Sequence, residues 1–80
     1  MLYKVQYNPT VAENILHAFR ELHARKIWHG DVREENILVR SDNTVVVIDF
    51  EWSEINAQPD KLEAEMEEVK TLLIWWKLSR

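Results

Sequence analysis

Apolar residues recur at helical spacing in two separated stretches of the chain, and between them lies a block where aliphatic residues run together. Val11, Ile15, Phe19 and Leu22 fall on one side of a helix. Thr10-Val11-Ala12-Glu13 has the form of a capping box ahead of them, and Arg25-Lys26 supplies the basic end. Leu62, Met66, Val69, Leu73 and Trp76 alternate steps of four and three in the second stretch. That is a coiled-coil spacing, but over too few heptads, so it predicts a core-facing helix begun by the capping box Asp60-Lys61-Leu62-Glu63. Glu63, Glu65, Glu67 and Glu68 crowd its first turns, where the helix dipole favours negative charge, and are expected to form a solvated face. Leu72 to Trp76 is apolar all round, which predicts that something covers it. Tyr3, Val5 and Tyr7 alternate too briefly for a strand, so residues 1–9 are expected to be extended. His17 and His23 are expected on the first helix's surface, and the four tryptophans in a core or interface.

The middle block reads as a hairpin. Residues 37–40 and 45–49 are β-branched and aliphatic, and Ser41-Asp42-Asn43-Thr44 between them is a turn-forming cluster. Pairing Arg40 with Val45 puts Val39 opposite Val46, Leu38 opposite Val47, Ile37 opposite Ile48 and Asn36 opposite Asp49. Opposed residues have Cβ atoms about 4.5–5.5 Å apart, so this register brings an amide oxygen and a carboxylate together at the hairpin's open end. Such a pair suits magnesium, which takes a few hard oxygens and keeps waters or phosphate as its other ligands. Asp31 lies close by on the preceding loop.

His29-Gly30-Asp31-Val32-Arg33-Glu34-Glu35-Asn36 and Ile48-Asp49-Phe50-Glu51 resemble, in order and separation, the catalytic loop H-x-D-x-x-x-x-N and the metal-binding D-F-G triplet of the protein-kinase-like superfamily. The resemblance runs from about Val11 to Trp52. It implies that Asp31 orients or accepts the proton of a hydroxyl acceptor, that Arg33 stands near the transferred phosphate, and that Asn36 and Asp49 hold Mg2+ bound to ATP. His29 is then a brace between loop and triplet. Gly30 replaces the Arg that answers a phosphorylated activation loop in many kinases, and Glu51 replaces a hinge glycine. Both departures are also familiar in aminoglycoside and choline kinase relatives, so the resemblance leaves the acceptor open between a protein and a small molecule, with a small-molecule kinase fragment as an alternative. Arg33 with Asn36-Ile37-Leu38-Val39 is similar to small, divergent fungal protein-kinase-like domains. The fold implied is α+β, a partial kinase-like large lobe over residues 1–80, ordered helix, catalytic loop, β-hairpin, helix.

Composition narrows the function. With 80 residues and 46% hydrophobic content, the chain suits one small domain or part of one. A net charge of −4 argues against nucleic acid and anionic membrane as partners. Without cysteine there are no disulfides or thiolate metal sites, and a cytoplasmic location is expected. The longest apolar run, Leu72 to Trp76, is far shorter than the roughly 20 residues of a membrane span. The single glycine, Gly30, leaves no Gly-rich phosphate loop, and neither Lys4 nor Lys26 lies in a V-A-I-K-like strand.

Three readings follow. In the first, the chain is the core of a phosphotransferase acting on a hydroxyl, as in protein Ser/Thr, whose nucleotide-covering lobe is absent from these residues, so that the isolated chain is inactive. In the second, it is a non-catalytic kinase-like module that docks a protein partner or itself through the C-terminal helix, with Leu73, Trp75 and Trp76. In the third, Asp31, Asn36 and Asp49 bind a metal without nucleotide. For Arg33 the plain alternative is a surface ion pair with Glu34 or Glu35.

Overall fold

A computed structural model describes residues 2–79; Met1 and Arg80, and with Met1 the start of the stretch expected to be extended, lie outside the description. Helix α1 spans Pro9–Ala24, strands β1 Ile37–Val39 and β2 Val45–Val47 form an antiparallel two-stranded sheet, and helix α2 spans Pro59–Leu78. The expected α+β order of helix, loop, hairpin and helix is therefore present. From Leu2 to Lys4 the chain makes a 3-10 turn and is not extended, because Leu2 is fully buried in the core.

Both helices start two residues earlier than their capping boxes suggest. Asn8 caps α1, its side-chain oxygen accepting the Thr10 N–H at 2.9 Å, and Pro9 occupies the first turn, where its missing N–H costs nothing. In α2, Pro59 plays the same part after Gln58, whose side chain makes no capping bond. The core is shared between the elements: Val11, Ile15 and Phe19 from α1, Ile37 from β1, and Val69, Leu73 and Trp76 from α2 are almost completely buried. Trp76 also donates its indole N–H to the Val5 carbonyl at 2.7 Å and meets Tyr7 edge-on, so the end of α2 is tied to the chain's first residues. Full burial of side chains this large contributes about 1.5–3 kcal/mol each, which makes them the principal source of stability in so small a domain.

The hairpin register differs by one residue from the expectation. Val39 pairs with Val45, Leu38 with Val46 and Ile37 with Val47, which leaves Asn36 opposite Ile48 and not Asp49. The turn is the cause. Asn43 donates to the Arg40 carbonyl and Arg40 to the Thr44 carbonyl, both at 2.9 Å, so the loop contains three residues and not four. Such loops need a left-handed third residue, and Asn43, at φ 71°, is a residue type that tolerates it. Asp42 stabilises the turn by accepting the Thr44 N–H and hydroxyl, and Asn14 of α1 donates to the Asn43 carbonyl at 2.8 Å.

Candidate active site

Residues 25–36 leave α1 and return to the sheet. Lys26, at φ 61°, turns the chain out of the helix, and Trp28 then pairs backbone to backbone with Glu54, two 2.9 Å bonds that stitch the loop to the segment before α2. Lys61 caps this bridge, lying 3.9 Å over the Trp28 ring and 2.7 Å from the Glu54 carboxylate.

His29 is completely buried. Its Nδ1 lies 3.1 Å from the Asp31 N–H, which can only donate, so Nδ1 accepts and the ring proton sits on Nε2. Nε2 then donates to the Ile48 carbonyl at 2.8 Å, and the ring packs edge-on against Phe50, with centroids 4.7 Å apart. The imidazole thus joins the loop to Ile48-Asp49-Phe50. Gly30 follows at φ 93°, and a Cβ there would come within 2.8 Å of both the Trp52 carbonyl and the Trp28 ring. Only glycine satisfies that backbone and that space.

Asp31 and Asn36 meet. Asn36, buried, donates its amide nitrogen to the Asp31 carbonyl at 2.9 Å and to Asp31 Oδ2 at 3.1 Å. Asp31 Oδ1 receives Arg33 Nε at 2.8 Å. The partner of Arg33 is therefore Asp31, neither Glu34 nor Glu35, because an extended Arg33 (φ −149°) turns its side chain back along the loop. Asp49 is reached through the backbone. The Asn36 carbonyl accepts the Ile48 N–H at 2.9 Å while His29 holds the Ile48 carbonyl, so both peptide groups of Ile48 are fixed immediately before Asp49. Asp49 itself is exposed and left-handed at φ 64°, so strand alternation ends before it. Sequence reasoning put Asn36 and Asp49 in a direct cross-strand pair; the structure makes them neighbours through Ile48.

The oxygens of Asn36, Asp31 and Asp49 are hard donors of the kind magnesium takes. Among the described residues no group of three or more His, Cys, Asp or Glu could hold a metal. An ion at this edge would therefore draw the rest of its shell from water and phosphate, which fits magnesium carried in with a nucleotide. What the group supplies when bound is charge neutralisation on the phosphates.

Glu65 was missed by sequence reasoning. Expected on a solvated face, it is buried on α2 and accepts the His29 N–H at 3.0 Å, the Gly30 N–H at 2.8 Å and His23 Nε2 at 2.8 Å. His23 is correspondingly not a surface residue, its side chain being 12% exposed. One carboxylate thus joins the end of α1, the loop backbone and α2. The signal for it was faint: Glu65 lies one step before Met66 on the apolar side of α2, hidden among three other glutamates. Trp75 and Trp52, read as core or interface aromatics, are 63% and 62% exposed.

The small α+β unit holds its His-x-Asp loop against an Asp-Phe segment through His29, and the comparisons place the chain that carries it in a family. The protein kinase domain family matches residues 2–73, and the chain belongs to it. It is 34% identical over 59 residues to an Aurora kinase of Candida glabrata, covering 69% of this chain and 16% of that one. Over 40 residues it is 48% identical to Kinase suppressor of Ras A of Caenorhabditis elegans, covering 50% of this chain and 5% of that protein. It is also 42% identical over 41 residues to serine/threonine-protein kinase pak-2 of the same organism, covering 51% and 8%. The chain therefore spans less than a fifth of these relatives. No solved structure gives a significant match. No helix among the described residues is long and apolar enough to cross a membrane.

Proposed function

We propose that these residues form the acceptor and metal side of a protein-kinase-type phosphotransferase site, transferring the terminal phosphoryl group of ATP to a hydroxyl, most simply that of a protein serine or threonine. The reading is carried by the Asp31–Asn36 contact at 3.1 Å with Asp49 following the doubly anchored Ile48. In it Asp31 orients the acceptor hydroxyl, Arg33 swings from Asp31 to the transferred phosphate, and Asn36 and Asp49 hold magnesium. A Gly-rich loop and an ATP-anchoring lysine are missing from these 80 residues. Efficient transfer in this reading needs them from a longer polypeptide, and residues 1–80 are one partial large-lobe domain.

Manganese, a paramagnetic stand-in for magnesium, tests this on the chain as it is. Added with ATP to isotope-labelled protein, it should broaden the amide signals of Asn36 and residues 48–50 first, and Asp49→Ala should remove the effect. Uniform broadening, or the same pattern in Asp49→Ala, would overturn the assignment. A non-catalytic binding module is the second reading; Leu73 and Trp76, expected to dock a partner, are buried in the core, and what favours this reading is the exposure of Ile74, Trp75 and Leu78 on α2. Association with a partner or with itself, with no manganese–ATP response, is its signature.

A further inference from the structure

A shallow groove of about 410 Å³ runs between α2 and the catalytic loop, floored by Val32 and Leu72 and walled by Tyr3, Glu67, Glu68 and Trp75. Its position is distinctive, since Val32 lies between Asp31 and Arg33. Its electrostatics are one-sided. Glu67 and Glu68 come from α2, and the Tyr3 N–H reaches Glu34 Oε1 at 3.4 Å from the loop side. Glu34 Oε2 is shut off from solvent with no hydrogen-bond partner among the described residues. Burial, followed by the charges of Glu34 and Glu35, pushes the Tyr3 phenol up, and burial, followed by the charge of Glu65 behind the groove, pushes the Glu68 carboxyl up. Of the nearby cations, Lys70 is 3.4 Å from Glu67 and Arg33 is taken by Asp31. Glu68 has no ion-pair partner among the described residues.

An aliphatic floor, an exposed indole and surrounding carboxylates together complement one kind of side chain. Arginine has an apolar stem for Val32 and Leu72, a planar cation that stacks on an indole, and several donors for carboxylates. We propose that this groove docks an arginine-bearing peptide segment of a partner protein, with the guanidinium against Trp75 and Glu68. The inference stands apart from the proposed phosphoryl transfer, because it requires neither nucleotide nor metal.

The test is titration of the 80-residue chain with a blocked Ala-Arg-Leu-Arg-Ala peptide, without ATP or divalent ions, followed by tryptophan fluorescence and by amide shifts of Val32, Glu68 and Leu72. Binding should weaken at least about fivefold in Glu68→Lys and about threefold in Trp75→Ala. It should also weaken as salt rises from about 50 to 300 mM, where the screening length falls below about 10 Å. The same peptide with glutamates in place of arginines should not bind. Equal binding by wild type and Glu68→Lys, or by both peptides, overturns the proposal, as does a groove response that tracks self-association in sedimentation. Glu68 is exposed, so the charge variant keeps the fold even if Trp75→Ala does not.

Discussion

Replacing Glu65 by alanine strips the loop of residues 29–36 of its anchor, and the size of the effect follows from the bonds lost. The His29 N–H, on a fully buried residue, and the half-buried Gly30 N–H are both left without their acceptor, and His23 Nε2 loses its partner as well. An unsatisfied buried donor costs about 1–3 kcal/mol, less where water can enter, so the sum is about 2–5 kcal/mol. Small domains have only about 5 kcal/mol or somewhat more to lose. With a urea slope of about 1 kcal/mol/M for a chain of this length, the unfolding midpoint should fall by about 2 M or more, or the protein should be unfolded outright. Glu65→Gln keeps one acceptor oxygen and presents an amide N–H₂ to a backbone donor, so its loss should lie between alanine and wild type. Urea melts followed by far-ultraviolet circular dichroism, with hydrogen exchange at His29 and Gly30, measure both. If Glu65→Ala unfolds within about 0.5 kcal/mol of wild type, at the level of an ordinary surface substitution, the anchoring argument fails.

Gly30→Ala should destabilise by about 3 kcal/mol, since a left-handed backbone and contacts of 2.8 Å on two sides act together; a melt within error of wild type would contradict the close approach. Asp31→Asn should change stability by less than about 1 kcal/mol, because the Arg33 side chain is 60% exposed, while it removes the group proposed to orient the acceptor; a large loss in the urea melt would mean that Asp31 is mainly structural. The Thr44 hydroxyl and then its N–H hold the Asp42 carboxyl below the usual range, so its contribution is present above the unfolded value of about 3.9 and is lost as pH falls through the folded value. In Thr44→Val an NMR titration should find the Asp42 midpoint moved upward, and an unmoved midpoint rejects the hydroxyl as cause. For Glu68 the sign is reversed. Its raised carboxyl favours folding fully below the unfolded value of about 4.3, and that contribution is lost as pH rises through the folded value. Glu68→Gln should therefore raise the urea midpoint at pH near 7 and lose that advantage near pH 3; a gain that persists in acid would point to another cause.

Much of this protein is legible without coordinates because the information is local. The periodic positions Val11, Ile15 and Phe19, and Val69, Leu73 and Trp76, are the ones buried, since a helix carries its apolar face wherever it packs. The β-branched runs on either side of residues 41–44 are a hairpin, and the loop residues around Asp31 carry the family resemblance in their order alone. Register was not legible. It turned on whether the connection used three residues or four, a choice made by Asn43 adopting a left-handed backbone and by Asn14 of α1 holding its carbonyl. Nor was Glu65 distinguishable from Glu63, Glu67 and Glu68, because a glutamate becomes an anchor only when folding brings backbone N–H groups against it. Side-chain order along the chain determined which elements form and which chemistry they carry. The packing of α2 against the loop decided which carboxylate is buried and which aromatics of that helix stay in solvent, since those depend on partners dozens of residues away.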